Sequence, residues 1–238
     1  MFTKRYLQQN IINDLNNKMV FIGGPRQVGK TTLAFLIGKK EKDYDYLNWD
    51  DQGDKKRIIA SKFDAHASLL IFDEIHKYAH WKNYIKGIFD KNRTKLKIIV
   101  TGSSRLNVYR RGGDSLMGRY HYYRLHPFSL SERLENNPQI KPFKELDFSE
   151  KSINNYFNNL LEFGGFPEPF FAQDKITLKR FHLHRLERLI EEDIRDLENI
   201  REISLLSVLT ELLPEKVGSL FSLNSLKEDQ KHIIPLDP

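Results

Sequence analysis

The sequence predicts an α/β fold, a parallel sheet flanked by helices, followed by a mostly helical C-terminal region. Three observations predict it. Short apolar runs alternate with segments of helical spacing from Met19 to about Leu125. The first run enters Gly24-Pro25-Arg26-Gln27-Val28-Gly29-Lys30-Thr31-Thr32, a complete G-x-x-x-x-G-K-[ST] turn that opens a helix. A later run, Leu69-Leu70-Ile71-Phe72, closes on the carboxylate pair Asp73-Glu74. Strands alternating with helices imply parallel crossovers, and hence a sheet covered on both faces.

Taken in order, Asn10 to Lys18 is an amphipathic lead-in and Met19 to Ile22 a buried strand. The helix opened by the glycine-rich turn runs to about Lys40, and Tyr44 to Trp49 reads as a second strand. Asp54 is placed to cap a helix from Lys55 to Ser61. The third strand ends in Asp73-Glu74. Trp81, Tyr84, Ile85, Ile88 and Phe89 recur at helical spacing, a stripe expected to face the sheet rather than to stack on bases. Leu96 to Val100 is a fourth strand, ending in Thr101-Gly102-Ser103-Ser104. Beyond Glu135 the character changes. Residues 136–151 read as a polar, turn-rich linker between a nucleotide-binding domain (1–135) and a helical region (152–238). In that region Ser152 to Phe163 is a helix halted by Gly164-Gly165 and the pair Pro167 and Pro169, and Thr177 to about Leu197 is a longer one.

The glycine-rich turn carries specific chemistry. A helix N-terminus offers unpaired N–H groups and a partial positive charge to a polyphosphate. Gly24 and Gly29 allow the backbone to aim successive N–H groups into one concavity. The cradle is the loop itself: Gly24, Pro25, Arg26, Gln27, Val28, Gly29, Lys30, Thr31 and Thr32. Lys30 is expected on the β- and γ-phosphates, and Thr31 supplies an oxygen ligand to Mg²⁺. Asp73, at the carboxyl end of its strand, is placed to hold the same Mg²⁺ shell, and Glu74 to polarise the attacking water. Ser103 is a candidate to sense the γ-phosphate. Arg119, in Ser115-Leu116-Met117-Gly118-Arg119, is a candidate to stabilise charge on the transferred group, a role worth ~10³–10⁵ in rate. Asp50-Asp51-Gln52-Gly53 mimics a D-x-x-G turn, but no N-K-x-D stretch for guanine follows, so GTP is rejected. His182 and His184 do not share a helix face, and no metal beyond Mg²⁺ is expected.

Composition bounds the remainder. Among 238 residues there is no cysteine, which excludes a disulfide framework and a thiolate metal cluster and fits a reducing, cytoplasmic setting. No run of 18 apolar residues suggests a membrane span, and the start lacks a signal-peptide core. The net charge of +6 favours contact with an acidic partner such as nucleic acid, without requiring it.

The motifs GGPRQVGKTT, YLNWDD, LLIFDEIHK, IIVTGSS, SLMGR and HPFSLSE (His126 to Glu132), in this order, resemble a prokaryotic AAA+ ATPase family. The resemblance implies an AAA-type P-loop NTPase core with ATP and Mg²⁺ as ligands. It implies Lys30 and Thr31 on phosphate and metal, Asp73 and Glu74 as the Walker B pair, and Ser103 or Thr101 as sensor. The lead-in Lys4-Arg5-Tyr6-Leu7 resembles the family's start, near the adenine. Tyr156-Phe157, Gly164 to Glu168 and Leu189 to Asp196 resemble the domain of unknown function that follows this ATPase. Ser222 to Asp229 resembles the first helix of a winged helix-turn-helix, while the tail Gln230 to Pro238 does not resemble its continuation. This departure implies a shortened chain and leaves any DNA-reading role without its recognition helix. The expected function is ATP binding with hydrolysis coupled to conformational change, and self-association where a neighbour's arginine completes the site. A nucleotide-gated DNA-binding or regulatory module with little turnover is the alternative. A kinase fits less well, because Asp73-Glu74 followed by Thr101-Gly102-Ser103-Ser104 suits a hydrolase.

Overall fold

A computed structural model of the chain describes residues 3–41, 43–92, 95–102, 116–133 and 154–190, with 208–210, 212–213, 217–218 and 222. Five strands form one sheet: β1 (Met19–Gly23), β2 (Tyr44–Asn48), β3 (Leu69–Asp73), β4 (Lys97–Thr101) and β5 (Tyr120–Arg124). Their order is β2-β3-β4-β1-β5, with every neighbouring pair parallel. The parallel sheet expected from the alternating runs is therefore present, with β4 inserted between β1 and β3.

Because strand side chains alternate in direction, each buried strand feeds two cores. Val20, Ile22, Leu69, Ile71 and Ile99 face α1 (Gln8–Asp14) and α2 (Lys30–Gly38), burying Ile11, Leu33 and Ile37. Met19, Phe21, Leu70, Phe72, Ile98 and Val100 face the other way. That second core takes Ile58 from α3 (Gln52–Ile59) and Trp81, Ile85, Ile88 and Phe89 from α4 (Trp81–Asn92). The Trp81 stripe is thus core, as its spacing predicted.

The register sets the carboxyl ends side by side. Asn48 pairs with Asp73, Asp73 with Thr101 and Thr101 with Ile22, while Gly23 pairs with Arg124. The residue that follows each of these strand ends therefore reaches one edge of the sheet, where ligands of open parallel sheets bind.

Two local expectations change. Asp51, not Asp54, caps α3: it sits in extended conformation and its carboxylate accepts from the Asp54 N–H at 2.9 Å. Asp54 instead accepts from the Asn48 N–H at 3.0 Å and so ties α3 to the end of β2. The pair Pro167 and Pro169 does not merely halt α6 (Asn154–Phe163). Pro167 opens α7 (Pro167–Ala172), at the first helical position that suits a residue without an N–H. α5 (Leu130–Arg133) lies near α6.

The chain divides into compact units Met1–Phe171 and Ala172–Pro238, so α6 and most of α7 belong with the sheet. Their attachment is specific: the Phe128 N–H donates to the Gly165 carbonyl at 2.7 Å, and Phe128 packs edge-on against Phe170 and Phe171. The expected linker, 136–151, lies outside the described residues. In the second unit α8 (Lys175–Arg188) is capped by Asp174, which accepts from the Thr177 N–H at 2.7 Å, and buries Phe181. Arg180, Arg185 and Arg188 lie on this helix.

Phe21 is wholly buried, stacked on Tyr120 at 4.6 Å between ring centres and tilted against Trp81 at 5.8 Å. Phe21→Ala is expected to lower unfolding free energy in urea by about 3–5 kcal/mol. A loss under about 1 kcal/mol would contradict this packing.

Candidate functional site

The loop between β1 and α2 has the backbone that its glycines permit. Gly24 has φ 143° and Gly29 φ 93°, and Gln27 joins them in the left-handed region at φ 61°. A Cβ on Gly24 would collide with the Leu125 carbonyl oxygen, so this position excludes side chains on two counts. Gly29 delivers the chain into α2, whose first N–H groups lie at the loop. The Lys30 ammonium is buried against this loop, donating to the carbonyls of Gly24 at 3.1 Å and Pro25 at 2.8 Å.

Asp73 stands opposite. Its carboxylate is buried and accepts three hydroxyl hydrogen bonds. Thr31 Oγ1 and the Tyr46 hydroxyl donate to Oδ2 at 2.8 and 2.9 Å, and Thr101 Oγ1 donates to Oδ1 at 2.5 Å. Three elements, α2, β2 and β4, thereby converge on one anion. None of these donors is a cation. Burial and the Asp73 charge push the Tyr46 hydroxyl well above its usual range, so it stays a donor. Thr101, one of the two residues the family resemblance implied as sensor, is wholly buried and directs its hydroxyl at Asp73. Ser103 lies outside the described residues.

This donor set fits Mg²⁺. The Thr31 hydroxyl gives its proton to Asp73, which leaves its lone pairs for a cation. A buried carboxylate satisfied by neutral hydroxyls carries a charge that a cation would balance. No cluster of three His, Cys, Asp or Glu side chains suited to a metal occurs among the described residues.

Glu74 follows at φ 55°, a left-handed conformation that is unusual for a side chain of its size. Its N–H donates to the Thr101 carbonyl at 3.0 Å, which anchors the turn to β4. The carboxylate lies 3.6 Å from His76 Nε2 and 3.7 Å from Lys77 Nζ, and Lys77 also reaches Asp50 at 2.5 Å. Desolvation, then the neighbouring Asp73 charge, raises the Glu74 pKa, while Lys77 and Lys30 oppose the rise.

Beside the loop lies a pocket of about 310 Å³, whose walls include Gly29, Thr32, Arg5, Phe128, Pro167 and Phe171. Arg5 frames it. Its guanidinium donates to Glu132 at 2.7 Å, to the Val28 carbonyl at 2.8 Å and to the His126 carbonyl at 2.5 Å, and sits 4.5 Å from the Phe128 ring centre. Arg5 and Glu132 side chains are only 4% and 3% exposed, so this is a buried ion pair. It joins the start of the chain, the glycine-rich loop and the His126 to Glu132 segment. The family resemblance pointed to Lys4 to Leu7 and to His126 to Glu132 as separate segments, and neither held a sign that Arg5 and Glu132 pair, 127 residues apart.

Arg119 is not brought to the loop of its own chain. It precedes β5, whose first residue pairs with Met19 at the amino end of β1. The phosphate loop lies beyond the other end, five strand residues away, or about 16 Å. There Arg119 donates to Asp90 on α4 at 2.8 Å.

Residues 16–134 match the family model of the AAA domain. The chain belongs to the AAA domain family. Residues 154–233 of this AAA protein match a domain of unknown function (DUF8612). Over 232 aligned residues it is 28% identical to the uncharacterized protein MJ1544 of Methanocaldococcus jannaschii, covering 89% of this chain and 51% of that protein. The chain thus spans about half the length of that curated relative. Among solved structures it is similar to the Aeropyrum pernix Orc1 protein in complex with DNA, at 12% identity and a TM-score of 0.46, covering 100% of this chain and 80% of that one. A variant of Thermotoga maritima RuvB gives 17% identity and a TM-score of 0.45, covering 94% and 79%. Overlays this loose carry no argument about function. No helix among the described residues is long and apolar enough to cross a membrane.

Substitutions in the buried pair and at Glu74 test this geometry. Arg5→Ala leaves Glu132 buried without its cation and is expected to destabilise by about 3–5 kcal/mol in urea unfolding. Arg5→Met with Glu132→Leu should recover most of that, and a double variant as weak as the single would contradict the buried pair. Glu74→Gly relieves the left-handed strain and should raise stability by about 1 kcal/mol. A destabilised variant would contradict the strain.

Proposed function

We propose that the protein binds ATP with Mg²⁺ and hydrolyses it to ADP and phosphate. One observation carries the reading: the Thr31 hydroxyl of the phosphate loop hydrogen-bonds the Asp73 carboxylate at 2.8 Å, uniting the two half-sites. The polyphosphate would lie on the α2 N-terminus, with Lys30 exchanging its carbonyl acceptors for β- and γ-oxygens. Thr31 and Asp73 would hold Mg²⁺, which would neutralise charge on the β- and γ-phosphates. The base would enter the pocket beside Gly29, against Phe128 and Phe171.

Glu74 would accept the proton of the attacking water. Its raised pKa makes it a better acceptor than an ordinary carboxylate. Ser103, two residues after Thr101 in the sequence, would sense the γ-phosphate. Arg119, at the far end of the sheet from its own loop, would serve only the loop of a neighbouring copy. Turnover would then require self-association, and specific activity would rise with protein concentration. Coupling of turnover to movement of the helical region belongs to the same proposal, as does a cytoplasmic site of action.

The reading is tested by nucleotide binding and phosphate release. Lys30→Ala removes a charged contact worth about 1.5–3 kcal/mol and should weaken ATP binding about tenfold or more. Glu74→Gln should retain ATP and lose about 10²–10⁴ in turnover. A protonated Glu74 cannot take the water's proton, so turnover falls as pH drops through its pKa. Because that pKa is raised, the fall begins at a higher pH than an ordinary carboxylate would give, and Glu74→Gln should lack it. Unchanged affinity in Lys30→Ala would remove the proposed site.

A further inference from the structure

Tyr46 opens the YLNWDD stretch, which carries no phosphate or metal role of its own, yet its hydroxyl ends on the carboxylate at the centre of that site. The route is set by the sheet. Tyr46 lies on β2 opposite Ile71, two residues short of the level of Asp73, and on the α2 side. Its ring is held against Phe35 of α2 at 4.6 Å between centres, which leaves the hydroxyl at the height of Asp73 Oδ2, 2.9 Å away.

A carboxylate oxygen has two lone pairs in the plane of the group. On Oδ2 both are taken, one by Thr31 and one by Tyr46. On Oδ1, Thr101 takes one. The carboxylate can then turn in neither torsion without losing a donor, and the one remaining lone pair belongs to Oδ1. Thr31 is held in the same act, its proton directed at Oδ2 and its lone pairs outward. A freely turning carboxylate would let the Thr31 hydroxyl rotate with it.

We propose that Tyr46 is a positioning residue for the cation site, fixing Asp73 and, through it, Thr31, so that metal affinity in the nucleotide complex is set from β2. This rests on the ATP and Mg²⁺ reading above and adds to it a residue that touches neither ligand. The partners of well-ordered metal sites act in this way, and removing one weakens metal binding while the ligands themselves remain.

The test uses the full chain, a fluorescent mant-ATP probe and Mg²⁺. Tyr46→Phe deletes the hydroxyl and keeps the ring on Phe35, so the fold is retained, as thermal melts would verify. Tyr44→Phe, which loses a hydroxyl on the same face of β2, is the control. Probe affinity in excess EDTA should match wild type in both variants. In Tyr46→Phe alone, the Mg²⁺ concentration that half-maximally tightens the probe should rise about tenfold. Turnover lost at low Mg²⁺ should return at high Mg²⁺. Mg²⁺ titrations that superimpose on wild type would overturn the proposal. So would an equal loss of affinity in EDTA, which would mark Tyr46 as support for the fold alone. A wild-type protein that ignores mant-ATP under both conditions would overturn the ATP reading itself, a result told apart because it needs no variant.

Discussion

A buried carboxylate is costly to place in a protein interior, and the architecture of this molecule is arranged around one. Asp73 is removed from water and satisfied by hydroxyls from α2, β2 and β4. Hydrogen bonds to a charged group contribute about 1.5–3 kcal/mol each, against a desolvation penalty of several kcal/mol for the ion. These neutral donors orient the carboxylate toward the start of α2, where Thr31 meets it. The strand order makes this possible. With β4 between β1 and β3, Thr101 stands beside both the loop strand and Asp73.

The second organising contact is the Arg5–Glu132 pair. It fastens three segments that are remote in sequence, and its guanidinium holds the Val28 carbonyl within the loop itself. The floor of the proposed base pocket and the curvature of the phosphate loop therefore share one strut. α7 completes that pocket with Pro167, Glu168 and Phe171, and the Gly165 and Phe128 contact holds its start in place. The nucleotide side of the molecule thus depends on residues that fall within the match to the domain of unknown function as well as on the AAA domain.

What was legible in the sequence was local. Gly24 to Thr32 and Asp73-Glu74 announce themselves because phosphate cradling and strand-end carboxylates are encoded by adjacent residues. The parallel sheet follows from alternation, and the Trp81 stripe from periodicity, for the same reason. The sequence pointed to Asp54 rather than Asp51 as the α3 cap because both are acids near one helix start, and only the backbone conformation distinguishes them. Tyr46 and the Arg5–Glu132 pair are contacts of register and of long range, which no spacing reports. Arg119 is readable as a loop arginine, but only topology shows it at the opposite end of the sheet from its own loop.

The central claim is that the loop and Asp73 act on one metal-bound polyphosphate. A crystal structure with Mg²⁺ and a non-hydrolysable ATP analogue tests it most directly. The account predicts the triphosphate on the α2 N-terminus, Lys30 on its β- and γ-oxygens, and Thr31 on the metal with Asp73 still accepting its proton. Polyphosphate bound elsewhere, or Asp73 turned away from the metal shell, would contradict it.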